Sequence, residues 1–406
     1  MHCDDVLGTM AMVTMEGQWD YRGEGGKHAV YSCSEYQGKL LRVEKQVLSS
    51  DALSPSPECE HRDVSFIRGT VKPFLGCFVD VPLSACLDSE VAKDLRRRAM
   101  ESGRVPASRV ASWDTHSKRR DPLALLVEDY SSPMSIELKP KAGYCAFSPL
   151  VDPRRRFKYQ SSRYTWMRPD ARYNPLDLFS NDLKRVEHAL ESLVEEPRNN
   201  LFGECHVPVV ATILYGEPLL ARLLEMQRLD WVDADGAVLI YDRLVATYGR
   251  DHVERLIDGD FVVSGHSAGT ESFRRLVDDS APLLEQGCLD LDDARAIALQ
   301  IVNELTKDEM VYLLQMWLLS LAACDMSIIL SLEGVTPAER SLSATVVAGL
   351  QWMVEAHQSE TDWGVVVGMD GATVSHRWRY RLKVIDCGRK PASKLATRGS
   401  KEAKYD

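Results

Sequence analysis

The stretch between residues 374 and 384 constrains the fold of this chain most strongly, because two kinds of side chain alternate along it. The mostly apolar set consists of Val374, His376, Trp378, Tyr380, Leu382 and Val384, and the basic set consists of Arg377, Arg379, Arg381 and Lys383. This alternation predicts a β-strand with one face toward a core. Asp370 and Gly371 precede the strand and predict a hairpin turn. The strand ends at Asp386.

A second aspartate precedes another predicted strand. Thr306 and Glu309 have the spacing of a capping box and predict a helix through Cys324. Asp325 then opens the apolar run MSIILSL, which is typical of a buried strand. If the two strands pair antiparallel, the start of one lies beside the end of the other. Asp325 and Asp386 are then able to share a site.

The segment SIELKPKAG, residues 135–143, brings two lysines close together in sequence. Side chains two positions apart on an extended backbone project to the same side, so Lys139 and Lys141 are expected to point at one place. Pro140 between them favours an extended conformation at Lys139, as at the end of a strand. The pattern fits a site for an anionic ligand, and it also fits a solvated charged edge.

Residues 19–45 predict a strand, a glycine turn and two further strands. Gly23, Gly25 and Gly26 allow the turn to present amide N–H groups to a phosphate, although a plain hairpin has the same pattern. Arg42 falls on the third strand. Its separation from the glycines is one at which the strand can place the cation beneath the turn.

A polar connector follows another apolar strand. The strand is predicted for residues 123–127, and Glu128, Asp129 and Tyr130 come directly after it. This connector is either a hinge between two lobes or a turn at a sheet edge.

Apolar residues at helical spacing predict helices at about residues 181–195, 218–228, 237–248 and 293–305. A polar cap predicts a further helix that begins at Leu83 or Ser84. Residues 334–370 are polar and are expected to be rich in helix.

Composition excludes several classes of protein. A chain of 406 residues is long enough for two or three domains, and a formal charge of −11 argues against a general nucleic-acid binder. No apolar run has the length of a membrane span, and the acidic start is unlike a signal peptide. The 10 scattered cysteines indicate reduced thiols. We therefore expect a monomer of the cytoplasm or nucleus, without nucleic-acid or membrane partners.

A glycine turn, a strand cation, a hinge-like connector, a lysine-rich strand end and two late aspartates together indicate phosphoryl transfer. From about Trp19 to Lys394 the chain resembles the inositol-pentakisphosphate 2-kinases. The resemblance is carried by YRGEGG, LLRVEK, IELKPKAG, RYTWM, YNPLDLFS, PRNN, LLARLLEMQRLD, CDMSIILS and VIDCGRKP. It implies that ATP, with Mg²⁺, phosphorylates the 2-hydroxyl of inositol 1,3,4,5,6-pentakisphosphate and that inositol hexakisphosphate is the product.

The resemblance also implies a fold of the α+β or α/β class with two kinase-like lobes. A small N-lobe of sheet and helix is expected at residues 1–131, a larger mixed C-lobe at 132–395, and a mobile tail at 396–406.

Roles follow from the same resemblance, residue by residue. Asp325 matches the base that accepts a hydrogen bond from the 2-hydroxyl, Asp386 matches the metal ligand, and Lys139 belongs to both the catalytic and the substrate positions. The nucleotide positions are Gly23, Gly25, Gly26, Lys27, His28, Arg42, Glu128, Asp129 and Tyr130. The inositol phosphate positions are Arg109, Glu137, Lys139, Lys141, Arg172, Asn199, Asn200, Lys390 and Lys394.

The chain departs from the family pattern at a few positions. His28 replaces an asparagine of the glycine turn, Phe202 or a neighbour replaces an arginine used toward nucleotide, and Arg398 stands where a tyrosine is expected. Plant members carry a zinc-binding Cys/His group in the second lobe, but residues 241–266 contain no cysteine here, so no zinc is expected.

Two alternatives belong to other classes. A pseudokinase that binds inositol phosphates without turnover fits the departures, although the retention of both aspartates argues against it. A serine hydrolase is suggested by GHSAG, in which Gly265, Ser267 and Gly269 match a nucleophile elbow, with His357 or His376 as the partner histidine.

Overall fold

The computed structural model of the chain describes residues 11–12, 18–25, 28–45, 61–87, 89–106, 123–130, 134–144, 148, 150, 173–194, 206–259, 268–285, 291–334, 351–358 and 363–396. The fold is of the α+β class, as predicted, with strands dominating the N-terminal region and helices the C-terminal region. The chain divides into two compact units, Met1–Pro133 and Met134–Asp406.

The first unit contains a six-stranded sheet in the order β1-β5-β6-β4-β3-β2. Its strands are β1 (Ala11–Met12), β2 (Trp19–Glu24), β3 (His28–Cys33), β4 (Lys39–Glu44), β5 (Leu83–Cys86) and β6 (Leu123–Glu128). Neighbouring strands pair antiparallel except β1 and β5, which are parallel. The predicted strands on both sides of the glycine turn are thereby confirmed.

Short helices and one long helix complete this unit. They are α1 (Arg62–Phe66), a π-helical turn (Ile67–Val71), α2 (Lys72–Leu75), 3₁₀ turns at Ser34–Tyr36 and Gly76–Phe78, and α3 (Ser89–Glu101). Helix α3 buries Val91, Leu95 and Ala99 against the sheet, because these residues recur on one helical face. The hydroxyl of Tyr31 on β3 donates to the carbonyl of Leu95 at 3.0 Å.

The prediction of a helix that begins at Leu83 or Ser84 is wrong. Residues 83–86 form strand β5, paired with β6, and the helix begins only at Ser89. The hydroxyl of Ser84 is buried and accepts the backbone N–H of His61 at 2.9 Å instead of capping a helix. Ser84 resembled a helix cap in the sequence, but its hydrogen-bond partner is His61, which is distant in sequence, and the segment is a strand.

The second unit contains a five-stranded antiparallel sheet in the order β7-β8-β11-β10-β9. Its strands are β7 (Ser135–Leu138), β8 (Ser327–Gly334), β9 (Gln351–Ala356), β10 (Gly364–Asp370) and β11 (Thr373–Ile385). The β10–β11 hairpin turns at Asp370 and Gly371, as predicted. Trp378, Tyr380 and Leu382 of β11 are buried.

Three details of this sheet correct the sequence predictions. Asp325 does not open a strand but is the last residue of a helix, and β8 begins at Ser327. Within residues 334–370, the described part forms strands β9 and β10 and not helix. Lys383, expected on an exposed basic face, is buried with 1% exposure. For strands β9 and β10 and for Lys383, cross-strand pairing and packing outweighed local polarity.

The helices of the second unit are α4 (Pro175–Leu178), α5 (Leu183–Val194), α6 (Val207–Gly216), α7 (Leu219–Gln227), α8 (Asp233–Tyr248), α9 (Arg250–Ile257), α10 (Ala268–Glu285), α11 (Leu291–Glu304) and α12 (Lys307–Asp325). Four helices were predicted near the bounds of α5, α7, α8 and α11, and α12 begins with the predicted capping box of Thr306 and Glu309. Helix α12 is buried on nearly all sides and packs in a core with α8 to α11.

No single helix among the described residues is long and apolar enough to cross a membrane. Helices α6 and α7, which meet at a bend of 65°, satisfy the length and composition criteria only as a pair.

Candidate active site

Three strand ends meet at one edge of the second sheet. The pairing of β8 with β11 ends at Ser327 opposite Ile385, and β7 pairs with β8 through Leu138 opposite Ile328. Because both pairs are antiparallel, the end of β7, the start of β8 and the end of β11 lie side by side. Asp325 and Asp386 flank the β8–β11 pair, as the sequence predicted for antiparallel strands.

Each of these aspartates has a lysine beside it. The ammonium of Lys139, directly after β7, lies 3.7 Å from a carboxylate oxygen of Asp386 and 3.9 Å from Glu137. The ammonium of Lys390 lies 2.6 Å from a carboxylate oxygen of Asp325. The side chains of Lys139 and Asp325 are about half exposed, at 53% and 50%. The edge therefore presents mixed charge that a ligand is able to reach.

The loop that follows β11 is fastened to the end of α9. The guanidinium of Arg389 donates to the backbone carbonyls of Ile257 at 2.6 Å and Asp258 at 2.9 Å. The N–H of Ala392 donates to the carboxylate of Asp258 at 2.9 Å. A cation is favourable at the carbonyl end of a helix. These contacts hold the segment that carries Lys390.

Residues 139–143, here called the lysine loop, follow β7 and do not remain extended. Lys141 has φ 62°, in the left-handed region, so the prediction that Lys139 and Lys141 project from one extended backbone is wrong. The hydroxyl of Tyr173 donates to the carbonyl of Pro140 at 2.9 Å, and the side chain of Gln227 bonds the loop on both sides of Ala142. Tertiary hydrogen bonds decide the loop conformation here.

The glycine turn of the first unit lies between β2 and β3. The N–H of Gly25 donates to the carbonyl of His28 at 2.9 Å, and there is open space where side chains at Gly23 and Gly25 would stand. Arg42 on β4 lies opposite Val30 on β3, which in turn lies opposite Gly23. Residues paired in this way share a face of the sheet, so Arg42 is on the face of Gly23.

A buried ion pair stands next to this turn. The ammonium of Lys45, just after β4, lies 3.1 Å from the carboxylate of Glu24, the last residue of β2, and both side chains are only 3% exposed. Glu24 directly precedes Gly25. The pair thus joins the two strands that flank β3 at the end that carries the turn.

The connector after β6 uses two of its three side chains within the unit. Glu128 pairs with Lys39 across β4 and β6, and the buried Tyr130 donates its hydroxyl to Asp80. The N–H of Asp129 donates to the carbonyl of Gly38 at 2.8 Å. A ligand at this connector would therefore meet mainly backbone groups of residues 128–130.

Several predicted positions lie outside the described residues. These are Gly26, Lys27, Arg109, Arg172, Asn199, Asn200, Phe202 and Arg398, and also Gly265 and Ser267 of the GHSAG segment. Lys394 is described and exposed, and its N–H donates to the carbonyl of Pro391 at 3.0 Å.

Sequence reasoning missed the residues that position the lysines. Tyr173 and Gln227 lie within YNPLDLFS and LLARLLEMQRLD, which carried the resemblance but received no role. Local sequence gave little signal, since Tyr173 stands between Arg172 and Asn174. The structure shows that Tyr173 is 1% exposed and Gln227 0%. Buried polar groups need hydrogen-bond partners, and in both cases the partner is the lysine loop.

The described residues contain no group of three or more His, Cys, Asp or Glu side chains placed to hold a metal ion. This does not conflict with Mg²⁺, which binds through one or two carboxylates together with substrate phosphates. Carboxylate oxygens from Asp386 and Asp325 are the donor type that Mg²⁺ prefers.

The second unit presents carboxylates and lysines at one edge of its sheet, and the first unit has a glycine turn; phosphoryl transfer uses groups of both kinds. The names of its relatives give the class of the protein as a phosphotransferase that acts on an alcohol group. A sequence profile described as inositol-pentakisphosphate 2-kinase matches residues 21–404. The chain therefore belongs to the inositol-pentakisphosphate 2-kinase family.

Individual relatives carry the same name at moderate identity. The Arabidopsis thaliana inositol-pentakisphosphate 2-kinase is 24% identical over 318 residues, which cover 56% of this chain and 70% of the relative. The Danio rerio protein is 27% identical over 213 residues, or 46% of this chain and 42% of the relative. The Oryza sativa subsp. indica protein is 22% identical over 321 residues, or 58% and 72%. These matches do not favour the hydrolase or the pseudokinase alternative.

Proposed function

We propose that this protein transfers the γ-phosphate of ATP to the 2-hydroxyl of inositol 1,3,4,5,6-pentakisphosphate and forms inositol hexakisphosphate. Family membership supports the proposal, and the observation that carries it is the arrangement at the sheet edge, where Asp325 and Asp386 each have a lysine within 4 Å. Phosphoryl transfer asks the protein for positioning and charge more than for covalent chemistry.

Asp325 is proposed to accept the hydrogen bond of the attacking 2-hydroxyl. Its side chain is half exposed and stands at the end of a buried helix, so a substrate is able to reach it while its backbone stays fixed. Lys390, now 2.6 Å from Asp325, is proposed to hold a neighbouring phosphate of the inositol. When substrate binds, the ammonium of Lys390 would then contact both the carboxylate and the phosphate.

Asp386 is proposed to hold Mg²⁺, whose charge neutralises phosphate oxygens during transfer. The residue has φ 61°, which is unfavourable for a residue with a side chain and is maintained by the β8–β11 pairing and the fastened loop that follows. Such a conformation places the carboxylate at the strand end rather than in the alternating pattern of the strand.

The substrate needs concentrated positive charge. Each phosphate carries about −1.5 to −2 charges at neutral pH. The chain as a whole has a formal charge of −11, so the lysines must act locally. We propose that four lysines, two arginines and two asparagines contact the phosphates of the inositol. They are Lys139, Lys141, Lys390, Lys394, Arg109, Arg172, Asn199 and Asn200.

The first unit is proposed to bind ATP. Gly23 and Gly25 leave room for a close approach of phosphates, and Arg42 lies on the same face of the sheet. Backbone groups of residues 128–130 are proposed to meet the adenine, because two of the three side chains are engaged elsewhere.

The test is incubation with ATP, Mg²⁺ and inositol pentakisphosphate, followed by anion-exchange chromatography. A hexakisphosphate peak is expected from the wild type, and Asp325→Asn and Asp386→Asn should each lower kcat by at least about a hundredfold while inositol phosphate still binds. Asp278→Asn, at an exposed ion pair on α10, is the matched control and should remain active.

Other outcomes separate the alternatives. Binding of inositol phosphate by the wild type without a hexakisphosphate peak would identify a pseudokinase. Labelling of Ser267 by a fluorophosphonate probe would identify a hydrolase. Near-normal turnover in either aspartate variant would refute the role assigned to that residue.

A further inference from the structure

A single buried amide holds the loop that carries Lys141. Gln227, the last residue of α7, is 0% exposed. Its Nε2 donates to the carbonyl of Lys141 at 2.8 Å, and its Oε1 accepts the N–H of Gly143 at 2.8 Å. Both hydrogen-bonding ends of this side chain therefore bond the loop, at the two residues on either side of Ala142.

The loop needs this support because its backbone is strained. Lys141 has φ 62°, which residues with a side chain adopt only when their surroundings hold them there. On its own Lys141 would prefer a negative φ, as residues with a side chain do, and its ammonium would then lie in another place. The amide bonds the backbone on the C-terminal side of the strained residue, and Tyr173 bonds Pro140 on the other side.

Gln227 is itself fixed to the helix that ends at Asp325. The hydroxyl of Ser320 on α12 donates to the backbone carbonyl of Gln227 and also contacts the hydroxyl of Tyr144, at 3.2 Å. Ser320 is one and a half turns before Asp325. The lysine loop is therefore connected to the proposed base by the hydrogen bonds of Gln227 and Ser320 and by helix α12.

We infer that Gln227 is a positioning residue that sets the ammonium of Lys141 for a phosphate of the inositol substrate. The inference rests on the proposed function, in which Lys141 contacts substrate. Gln227 acts through the loop and does not contact the substrate. Its loss should weaken inositol phosphate recognition and leave nucleotide recognition unchanged.

Gln227→Met is the test variant, because methionine has a similar length and lacks both hydrogen-bonding ends. The chain offers a matched control in Gln358, which is 5% exposed, donates to the carbonyl of Leu382 at 2.9 Å and accepts the N–H of Leu382 at 2.6 Å. Gln358→Met removes the same two kinds of bond from Leu382 on β11 and leaves the bonds of the lysine loop in place.

Steady-state kinetics should separate the two variants. In Gln227→Met the KM for inositol pentakisphosphate should rise about tenfold while the KM for ATP changes by less than about twofold. In Gln358→Met both KM values should stay near those of the wild type, although thermal unfolding shows that the protein is less stable. Equal KM values in the two variants would overturn the inference, since Gln227 would then be merely structural.

A double variant gives a second test that does not depend on stability. If Gln227 acts through Lys141, then Gln227→Met added to Lys141→Met should raise the KM for inositol pentakisphosphate by less than about twofold further. Multiplication of the two single effects would show that Gln227 acts elsewhere.

Failure of the proposed function has a different signature. If the wild type forms no hexakisphosphate, the same variants are compared by calorimetric binding of inositol pentakisphosphate. Weaker binding in Gln227→Met than in Gln358→Met would then support the positioning role without catalysis, and equal binding would end it.

Discussion

Individual residues in strained or crowded positions lie close to the proposed site. Both Lys141 and Asp386 have positive φ, at 62° and 61°. Asp386 directly follows β11, and Lys141 lies in the loop that follows β7. Such conformations cost about 1–3 kcal/mol and persist where the surroundings determine them. Here hydrogen bonds from Gln227, and the antiparallel pairing of β11, provide those surroundings. The strain and the proposed chemistry therefore coincide.

Gly143 shows how closely the lysine loop is packed. A Cβ atom at this position would overlap ring carbons of Phe179, whereas a Cβ at Gly25 in the glycine turn would meet nothing within 4 Å. Gly143→Ala should therefore lower the free energy of unfolding by about 1–3 kcal/mol, measured by urea denaturation, because Phe179 must move. A loss below this range would mean that the ring shifts freely.

Gly25→Ala is the companion prediction for the glycine turn. Its free energy of unfolding should stay within about 0.5 kcal/mol of the wild type, because the position is open. If phosphates of ATP approach the turn closely, the KM for ATP should nevertheless rise. An unchanged KM would indicate that the turn is a plain hairpin.

At the scale of elements, helix α12 connects stability to the site. It begins with the capping box of Thr306 and Glu309, runs through the core and ends at Asp325. The Thr306 hydroxyl accepts the N–H of Glu309 at 3.3 Å, and the Glu309 carboxylate accepts the N–H of Thr306 at 2.7 Å. The cap and the proposed base are at opposite ends of one helix. A change at the cap should therefore alter the free energy of unfolding without altering kcat.

Thr306→Ala should lower the free energy of unfolding by about 1 kcal/mol, because two backbone N–H contacts of the first turn are weakened. The kcat should remain close to that of the wild type. Thr212→Ala is the control, since the exposed Thr212 hydroxyl only donates to the carbonyl of Pro208 within its own helix at 2.8 Å. Its unfolding free energy should not fall, as alanine favours helix more than threonine does. Equal losses in both variants would contradict the importance of the cap.

Over the whole molecule, buried or half-buried tyrosines are found in both units. Burial, with the nearby Tyr21 and Glu24, raises the pKa of Tyr31, and burial with Asp230 and Cys324 nearby raises the pKa of Tyr144. Burial and the hydrogen bond to Glu217 raise the pKa of Tyr380. These phenols stay protonated in the folded state under conditions in which an exposed tyrosine ionises.

The sign of the pH dependence follows from these shifts. The folded-state pKa values lie above the unfolded value of about 10, so the contribution to stability is complete below about pH 10 and is lost as the pH rises above it. The free energy of unfolding should therefore decline between about pH 10 and pH 11 in urea titrations. Tyr144→Phe should show a shallower decline, and an unchanged slope would show that Tyr144 is accessible to hydroxide.

The sequence determined those parts of the molecule that depend on local or periodic patterns. Alternation along β11, the turn at Asp370 and Gly371, and the capping box of α12 all follow from neighbouring residues. From the sequence, antiparallel pairing of the strands beside Asp325 and Asp386 was only a condition for a shared site, and the register of β8 and β11 shows that the two strands pair in this way. Family membership followed from motifs that are contiguous in the chain.

Only the tertiary structure decided the strand at Leu83, the burial of Lys383 and the conformation of the lysine loop. Each depends on partners distant in sequence: β6 for β5, and Gln227 and Tyr173 for Lys141. Local propensities differ by about 1 kcal/mol, whereas pairing of a buried backbone or amide with a distant partner avoids a larger desolvation cost. That difference is why long-range contacts overruled the local pattern where the two disagreed.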